Sequence, residues 1–150
     1  MNAVKIKCRA LMVGDWCCDQ HGFPMRVTNV GDDYAYATFE GNEGDPWEFD
    51  DKDDQPQPIT LTPEILKKNG FYDISYQRYF KTLYSNGCFD ITLSLVYREI
   101  EVSKISCAGT DCEEEEYGSS IALGNDICVH TLQHTLRLCG LNELADNFKI

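Results

Sequence analysis

Residues 61–71 read Leu61-Thr62-Pro63-Glu64-Ile65-Leu66-Lys67-Lys68-Asn69-Gly70-Phe71. Thr62 is a favourable N-cap, and Pro63 fits the first helical position, where its missing N–H would have no partner within the helix anyway. Gly70 can take the left-handed conformation that often ends a helix, and Phe71 can make the hydrophobic contact that accompanies it. The segment therefore predicts a helix of about two turns, which separates a β-rich N-terminal part from a second β-rich part.

The pattern before this helix consists of short apolar or alternating runs separated by turn residues. The runs cover residues 10–13, 16–18, 25–30, 34–39 and 47–49. Short strands with tight turns favour a small, strongly bent antiparallel sheet, and the nearest common architecture is an SH3-like β-barrel.

The pattern after the helix predicts an antiparallel β-meander. Residues 75–84 and 88–97 are rich in strand-forming residues. They are joined by Ser85-Asn86-Gly87, whose Asn-Gly pair is the strongest short-range hairpin signal. Residues 98–107 continue as a third strand, and residues 108–118 are expected to form a polar, acidic loop.

The C-terminal part has helical periodicity. Leu132 and Leu136 lie on one helical face, Asn125 or Asp126 can cap the start, and Gly140 can end the helix. Neither an isolated helix nor an isolated meander is stable in water. We therefore expect this helix to pack on the apolar face of the meander.

These elements predict an α+β protein. Its 150 residues, 43% of them hydrophobic, suffice for a packed core. We expect a small barrel-like half at residues 1–61 and a second half at residues 62–150, which holds the helix, the meander and the C-terminal helix, with both halves forming one compact unit. No run approaches the roughly 18 apolar residues needed to span a bilayer, and residues 1–7 lack the apolar core of a signal peptide. We therefore expect a cytoplasmic protein without membrane contact.

The net charge of −12 is concentrated in two segments. Residues 32–54 hold ten acidic residues against one lysine, and residues 111–116 hold five acidic residues, whereas the rest of the chain is close to neutral. Direct nucleic-acid binding is disfavoured because phosphate contacts require a basic surface. The pattern favours either a partner protein with a basic surface or a solvated face that keeps the chain soluble.

Trp47 follows a turn within the first acidic segment and is the best candidate for an exposed aromatic anchor. With the surrounding carboxylates it makes up the predicted partner-binding residues. These are Asp45, Trp47, Glu48, Asp50, Asp51, Asp53, Asp54, Glu113, Glu114, Glu115 and Glu116. The stretch at residues 50–54 lacks the spaced ligands, central glycine and terminal glutamate of an EF-hand, so no calcium site is predicted.

His130 and His134 stand four residues apart, which places both imidazoles on one face of the predicted helix. This is the spacing of the zinc ligands in HExxH metalloproteases, but Thr131 occupies the position of their general base. The two histidines are therefore only weak metal candidates. No catalytic residue and no cofactor is predicted.

The eight cysteines follow no C-x-x-C spacing, so they do not indicate a zinc finger. They are Cys8, Cys17, Cys18, Cys88, Cys107, Cys112, Cys128 and Cys139. Most stand among apolar residues, where a reduced cysteine behaves as a small hydrophobic side chain. We expect free thiols.

Three stretches, taken in order, carry a family resemblance. They are Leu11-Met12-Val13-Gly14-Asp15-Trp16, the helix segment preceded by Pro58-Ile59-Thr60, and His130-Thr131-Leu132-Gln133-His134-Thr135-Leu136-Arg137-Leu138-Cys139-Gly140. In these stretches the chain resembles a family of small uncharacterised proteins from Bacteroidales bacteria, their phages and their mobile elements. The resemblance implies a phage or mobile-element accessory protein in a bacterial cytoplasm, and it carries over no catalytic residue.

Charge and resemblance together lead us to expect a non-enzymatic protein that binds and modulates a host protein, for example as an inhibitor of a defence system. Two alternatives stay open. The chain could sequester a nucleotide or other small molecule in a basic pocket built from Arg26, Arg78, Arg98 and Arg137. It could also be a virion or assembly component, and oligomer formation is left open.

Overall fold

The computed structural model describes residues 5–75, 77–84, 88–108, 111–113, 119–122 and 127–150. These residues form one four-stranded and one six-stranded antiparallel sheet with short α-helices, so the predicted α+β class is confirmed. The chain divides into two compact units. The N-terminal unit comprises Met1–Thr60 and Cys128–Phe148, and the meander unit comprises Leu61–Ile127 and Lys149–Ile150.

The sheet of the N-terminal unit has the strand order β1-β2-β3-β4, and each neighbouring pair is antiparallel. The strands are β1 (Trp16–Cys18), β2 (Pro24–Val30), β3 (Tyr34–Thr38) and β4 (Trp47–Asp50). Met25 and Val27 alternate along β2, Ala35 and Ala37 alternate along β3, and all four are buried together with Phe49 of β4. Burial along β2 and β3 thus follows the two-residue period of a strand. The observed β1, β2, β3 and β4 confirm four of the five strands predicted for this part.

The strand predicted at residues 10–13 is wrong. A 3₁₀ turn at Cys8–Ala10 leads into a tight turn, in which the Met12 N–H donates to Oδ2 of Asp15 at 2.8 Å and the Asp15 N–H donates to the Met12 carbonyl at 3.0 Å. Gly14 has a φ of +92°, in the left-handed region that glycine adopts without steric cost. The Asp15 side chain thus satisfies a backbone N–H that a neighbouring strand would otherwise have to pair.

The SH3-like barrel predicted for this half is not confirmed. Among the described residues β1 does not pair with β4, so the sheet stays open. Cys18 of β1 instead exchanges two backbone hydrogen bonds of 2.9 Å with Gln57, and the Asp50 N–H of β4 donates to the Asp54 carbonyl at 3.0 Å. These local contacts satisfy edge groups that a closed barrel would pair between strands.

The helix predicted after Thr62 is confirmed as α1 (Pro63–Lys68) in the meander unit. Oγ1 of Thr62 accepts the Ile65 N–H at 3.3 Å. Gly70 has a φ of +83°, and the Phe71 N–H donates to the Leu66 carbonyl at 3.1 Å, as in a Schellman motif. Phe71 is buried, which supplies the hydrophobic contact that the sequence predicts.

The sheet of the meander unit has the order β10-β8-β7-β6-β5, and β9 also pairs with β8. The strands are β5 (Tyr72–Ser75), β6 (Arg78–Tyr84), β7 (Cys88–Ser94), β8 (Glu99–Ala108), β9 (Asp111–Glu113) and β10 (Ser119–Ala122). Tyr84 lies opposite Cys88, as the predicted hairpin requires, while its turn at residues 85–87 lies outside the described residues. Residues 111–113, expected in an acidic loop, form β9 instead.

Two helices, α2 (Val129–Leu138) and α3 (Asn142–Asp146), form the C-terminal part. Cys128 is the N-cap of α2, whereas the predicted caps Asn125 and Asp126 lie outside the described residues. Gly140 ends α2 as predicted, with a φ of +79° and an N–H that donates to the Arg137 carbonyl at 3.0 Å. Among the described residues, no helix is both long enough and apolar enough to cross a membrane.

The assignment of α2 differs from the predicted division of the chain. The sequence predicts it in the half at residues 62–150, whereas α2 groups with the N-terminal unit. The reason lies in the polar side chains of α2, which bond to the backbone and side chains of residues 12–16. The packing of α2 on the meander stays a prediction.

Candidate functional site

The predicted partner-binding residues of the first acidic segment lie on β4 and in the turns directly before and after it, and we call this surface the acidic edge. Its members are Asp45, Trp47, Glu48, Asp50, Asp51, Asp53 and Asp54. Asp45, Trp47, Glu48 and Asp53 are exposed, whereas the other three are partly buried. The turns beside β3 add the exposed carboxylates of Asp32, Asp33, Glu40 and Glu43. These acidic residues therefore all lie on β4 or on turns next to β3 and β4 in the N-terminal unit.

Two of the partly buried aspartates hold the backbone of the acidic edge. Oδ1 of Asp50 accepts the N–H groups of Lys52 at 2.9 Å and Asp53 at 2.6 Å. Oδ1 of Asp51 accepts the Cys8 N–H at 2.8 Å, and this hydrogen bond lowers the pKa of the Asp51 carboxyl group. These carboxylates stabilise the turn, so the exposed members are the ones free to meet a partner.

Trp47 has a fixed orientation on the acidic edge. Its side chain is held by a hydrogen bond of 2.9 Å from the indole Nε1–H to Oδ2 of Asp54, although the residue is 49% exposed. A rigid aromatic side chain loses little conformational entropy when a partner covers it. Trp47 is exposed, as the sequence predicts, and its part as an interface anchor stays a prediction.

The backbone of β4 is poorly suited to pairing with a further strand. Pro46, directly before β4, has no N–H to donate. At the other end, Asp50 and Asp54 exchange backbone hydrogen bonds of 3.0 and 3.3 Å. Exposed edges with such blocking features resist the addition of another strand. A partner at the acidic edge would consequently be bound through side chains.

The second predicted acidic segment is described only in part. Glu113 is the last residue of β9, and Glu114, Glu115 and Glu116 lie outside the described residues. Their part in partner binding stays a prediction.

A second polar cluster, not predicted from the sequence, surrounds the fully buried side chain of Asp15. Oδ1 of Asp15 accepts a hydrogen bond from Nη1 of Arg137 at 2.6 Å. Oδ2 lies 2.5 Å from Nε2 of His134 and also accepts the Met12 N–H. Arg137 and His134 belong to α2, so this carboxylate fastens the helix to the turn before β1.

Gln133 extends the same cluster to the edge of β1. Its amide is fully buried, and its Oε1 accepts the Trp16 N–H at 2.9 Å. Its Nε2 donates to the carbonyls of Gly14 and Ala145, each at 3.0 Å. The N–H of Trp16 and the carbonyl of Gly14 are two residues apart, the spacing with which a neighbouring strand would pair. The Gln133 side chain thus replaces a strand at this edge.

Two arginines that were candidates for a nucleotide pocket are used inside the N-terminal unit. The Arg26 guanidinium lies over the Trp16 ring at 4.9 Å, bonds to the Asp146 carbonyl and donates to the Gly14 carbonyl. Arg137 is paired with Asp15 and, at 3.3 Å, with Asp146. Both guanidinium groups are therefore engaged in contacts that stabilise the N-terminal unit.

The two histidines share one face of α2, as their spacing predicts. Their ring centres are 5.7 Å apart in an edge-to-face arrangement. His134 contacts Asp15, whereas His130 is buried and its Nδ1 has no hydrogen-bond partner. Burial, reinforced by the nearby His134 and opposed by Asp15, lowers the pKa of His130 from 6.5 to about 4. Within the described part of the chain, no group of three or more histidine, cysteine or acidic side chains is placed to hold a metal ion.

Five thiols lie within the part of the chain whose side chains the structure describes. They are Cys8, Cys17, Cys18, Cys128 and Cys139. Burial raises the pKa of Cys8 to about 12 and also raises the pKa of Cys17, so both stay protonated and unreactive at neutral pH. The side chains of Cys88, Cys107 and Cys112 lie outside the described part.

Comparison with protein-family models, with curated proteins and with solved structures finds no match to this chain.

Proposed function

We propose that this protein is a non-enzymatic accessory protein of a phage or mobile element, which binds a basic surface of a host protein through its acidic edge and so modulates that protein. The observation that supports the proposal most is the fixed, half-exposed Trp47 among exposed carboxylates. An aromatic anchor surrounded by charge is a common arrangement at protein–protein interfaces. The site of action would be the cytoplasm of a bacterial host.

The charge of the acidic edge sets how such a complex would form. Asp45, Glu48 and Asp53 are exposed and close to one another along the chain. Carboxylates at the rim of an interface accelerate encounter with a positive patch, and salt screens that effect. The central aromatic side chain instead governs the rate of dissociation. We therefore expect the exposed carboxylates to affect mainly the association rate and Trp47 to affect mainly the dissociation rate.

The alternative of a nucleotide-binding protein has less support, because Arg26 and Arg137 are engaged in contacts within the N-terminal unit. The alternative of a virion or assembly component stays a prediction.

The proposal is tested by capturing host proteins from a Bacteroidales lysate at about 0.1 M and about 0.5 M salt, followed by binding kinetics with the purified partner. We expect recovery at the lower concentration only. The triple variant Asp45→Asn, Glu48→Gln, Asp53→Asn should associate roughly tenfold more slowly. Trp47→Ala should weaken binding by about 2 kcal/mol, mainly through faster dissociation.

The matched control is the triple variant Asp73→Asn, Glu99→Gln, Glu101→Gln, which removes the same charge from exposed residues of the meander unit. This variant should bind like the unmodified protein. Equal recovery of one partner at both salt concentrations, or equal weakening by the two triple variants, would contradict a specific role for the acidic edge.

A further inference from the structure

His130 lies in the first turn of α2 with only 9% of its surface exposed. Its Nδ1 is buried and has no hydrogen-bond partner. A neutral imidazole can leave one nitrogen without a donor at moderate cost, but a protonated ring carries two N–H donors and a positive charge. Burial of such a cation without a partner is strongly unfavourable. The environment of His130 is therefore suited to the neutral form only.

The nearest carboxylate is already occupied. Asp15 acts electrostatically on His130, yet its two oxygens accept bonds from Arg137, His134 and the Met12 N–H. His134, one turn along α2, is the other titratable group that acts on the ring. A proton on His130 would thus add a positive charge beside a carboxylate that has already been neutralised by Arg137.

The other titratable side chains on the described elements packed against α2 within the N-terminal unit belong to β1 and α3. The titratable side chains of β1 are the thiols Cys17 and Cys18. Those of α3 are Glu143, which is exposed, and Asp146, which is paired with Arg137.

We propose that the contact between α2 and the turn at residues 11–16 is a pH-sensitive switch, which is closed while His130 is neutral and opens when its ring takes up a proton. Opening would separate His134, Gln133 and Arg137 from their partners at residues 12–16. The N-terminal sheet has its own core around Phe49, so it can persist when α2 is released.

The direction of the pH dependence follows from the lowered pKa of His130. In the released state the ring titrates near its ordinary value of 6.5, and in the closed state near 4. Between these values the released state binds a proton that the closed state does not, so falling pH favours release. The closed state is fully favoured above pH 6.5. Two and a half pKa units correspond to a roughly 300-fold change in the ratio of released to closed protein.

The switch is tested by following Trp16 from pH 7.5 to pH 4 in a Trp47→Phe background, where Trp16 is the remaining tryptophan. Trp16 is 7% exposed, and its Nε1 donates to the Phe148 carbonyl at 2.7 Å. We expect its emission to shift to the red at the acidic end. After correction for the slower intrinsic amide exchange in acid, the protection of the α2 amides should fall by up to roughly 150-fold at pH 4. The far-UV signal of the sheets should change later, at lower pH.

His130→Phe keeps an aromatic ring but cannot titrate, so this variant should lose the acid transition of Trp16. His130→Gln serves the same purpose if the phenylalanine variant does not fold. His21→Gln, at the exposed third histidine, is the control and should keep the transition. An unchanged transition in both His130 variants, its loss in the His21 variant, or simultaneous change of Trp16 and the far-UV signal would overturn the proposal.

Discussion

Replacement of Gln133 by leucine is expected to lower the free energy of unfolding by about 3–5 kcal/mol. The buried amide serves three backbone groups, namely the Trp16 N–H, the Gly14 carbonyl and the Ala145 carbonyl. Leucine has a similar volume but leaves the Trp16 N–H without a partner, and it removes one of the hydrogen bonds that the carbonyls of Gly14 and Ala145 accept. The unsatisfied N–H costs about 1–3 kcal/mol and each lost hydrogen bond about 0.5–1.5 kcal/mol, so the combined loss is a large fraction of the stability of a small domain. Urea denaturation followed by tryptophan emission measures the effect.

Two further variants separate hydrogen bonding from packing. Gln133→Glu keeps the shape and an acceptor for the Trp16 N–H, but its carboxylate cannot donate to Gly14 or Ala145, so it should also be destabilising at neutral pH. Protonation of that glutamate restores one donor, so in a His130→Phe background, where the proposed acid release of α2 is absent, part of the loss should be recovered in mild acid. Gln20→Leu, at an exposed turn residue, should change stability by less than about 0.5 kcal/mol. A cost below about 1 kcal/mol for Gln133→Leu would show that this amide does not support the edge of β1.

The elements that the sequence predicts correctly are those whose signals are local. Thr62 and Gly70 define α1 through contacts within four residues, and the alternation of Met25, Val27, Ala35 and Ala37 defines β2 and β3. The position of the charged surface is also predictable from the sequence, because a run of acidic residues is exposed without needing a distant partner. The exposure of Trp47 and of Asp45, Glu48 and Asp53 around it is therefore predictable, whereas their part in partner binding stays a prediction.

The features that the sequence does not predict depend on residues more than a hundred positions apart. Asp15 reads as an ordinary turn residue, and nothing nearby indicates that Arg137 and His134 bond to it. Gln133 reads as a polar interruption between apolar helical positions. The signal in the sequence is the position of this glutamine beside Leu132 on a predicted packed helix. In the structure Gln133 is buried, and a buried amide requires internal hydrogen-bond partners.

The same long-range contacts explain two errors of the sequence analysis. Residues 10–13 lack a strand because Asp15 pairs the Met12 N–H, and the predicted barrel is not found because side chains or local turns occupy the edges of β1 and β4. Side chains that replace backbone partners leave no periodic pattern in a sequence. Their positions are decided by the tertiary structure.

Asp15→Asn is expected to destabilise the protein by about 3–5 kcal/mol, because it removes one member of a buried ion pair while the other stays in place. The asparagine can still accept the Met12 N–H, so the measured loss reports mainly on Arg137, whose side chain is 10% exposed. Asp146, at 3.3 Å from Nη2 of Arg137 and itself exposed, compensates only in part. Urea denaturation again provides the measurement.

A double-mutant cycle isolates the ion pair from the other contacts of Asp15. Arg137→Met removes the charge but keeps an apolar side chain, and Asp15→Asn in this background should cost far less than in the unmodified protein. We expect a coupling energy of about 2–3 kcal/mol between the two sites, at the upper end for residues in contact. Asp73→Asn, at an exposed carboxylate of β5, should be neutral within about 0.5 kcal/mol. A coupling energy near zero would mean that Arg137 does not hold α2 through Asp15, and the helix would then depend on His134, Gln133 and apolar packing.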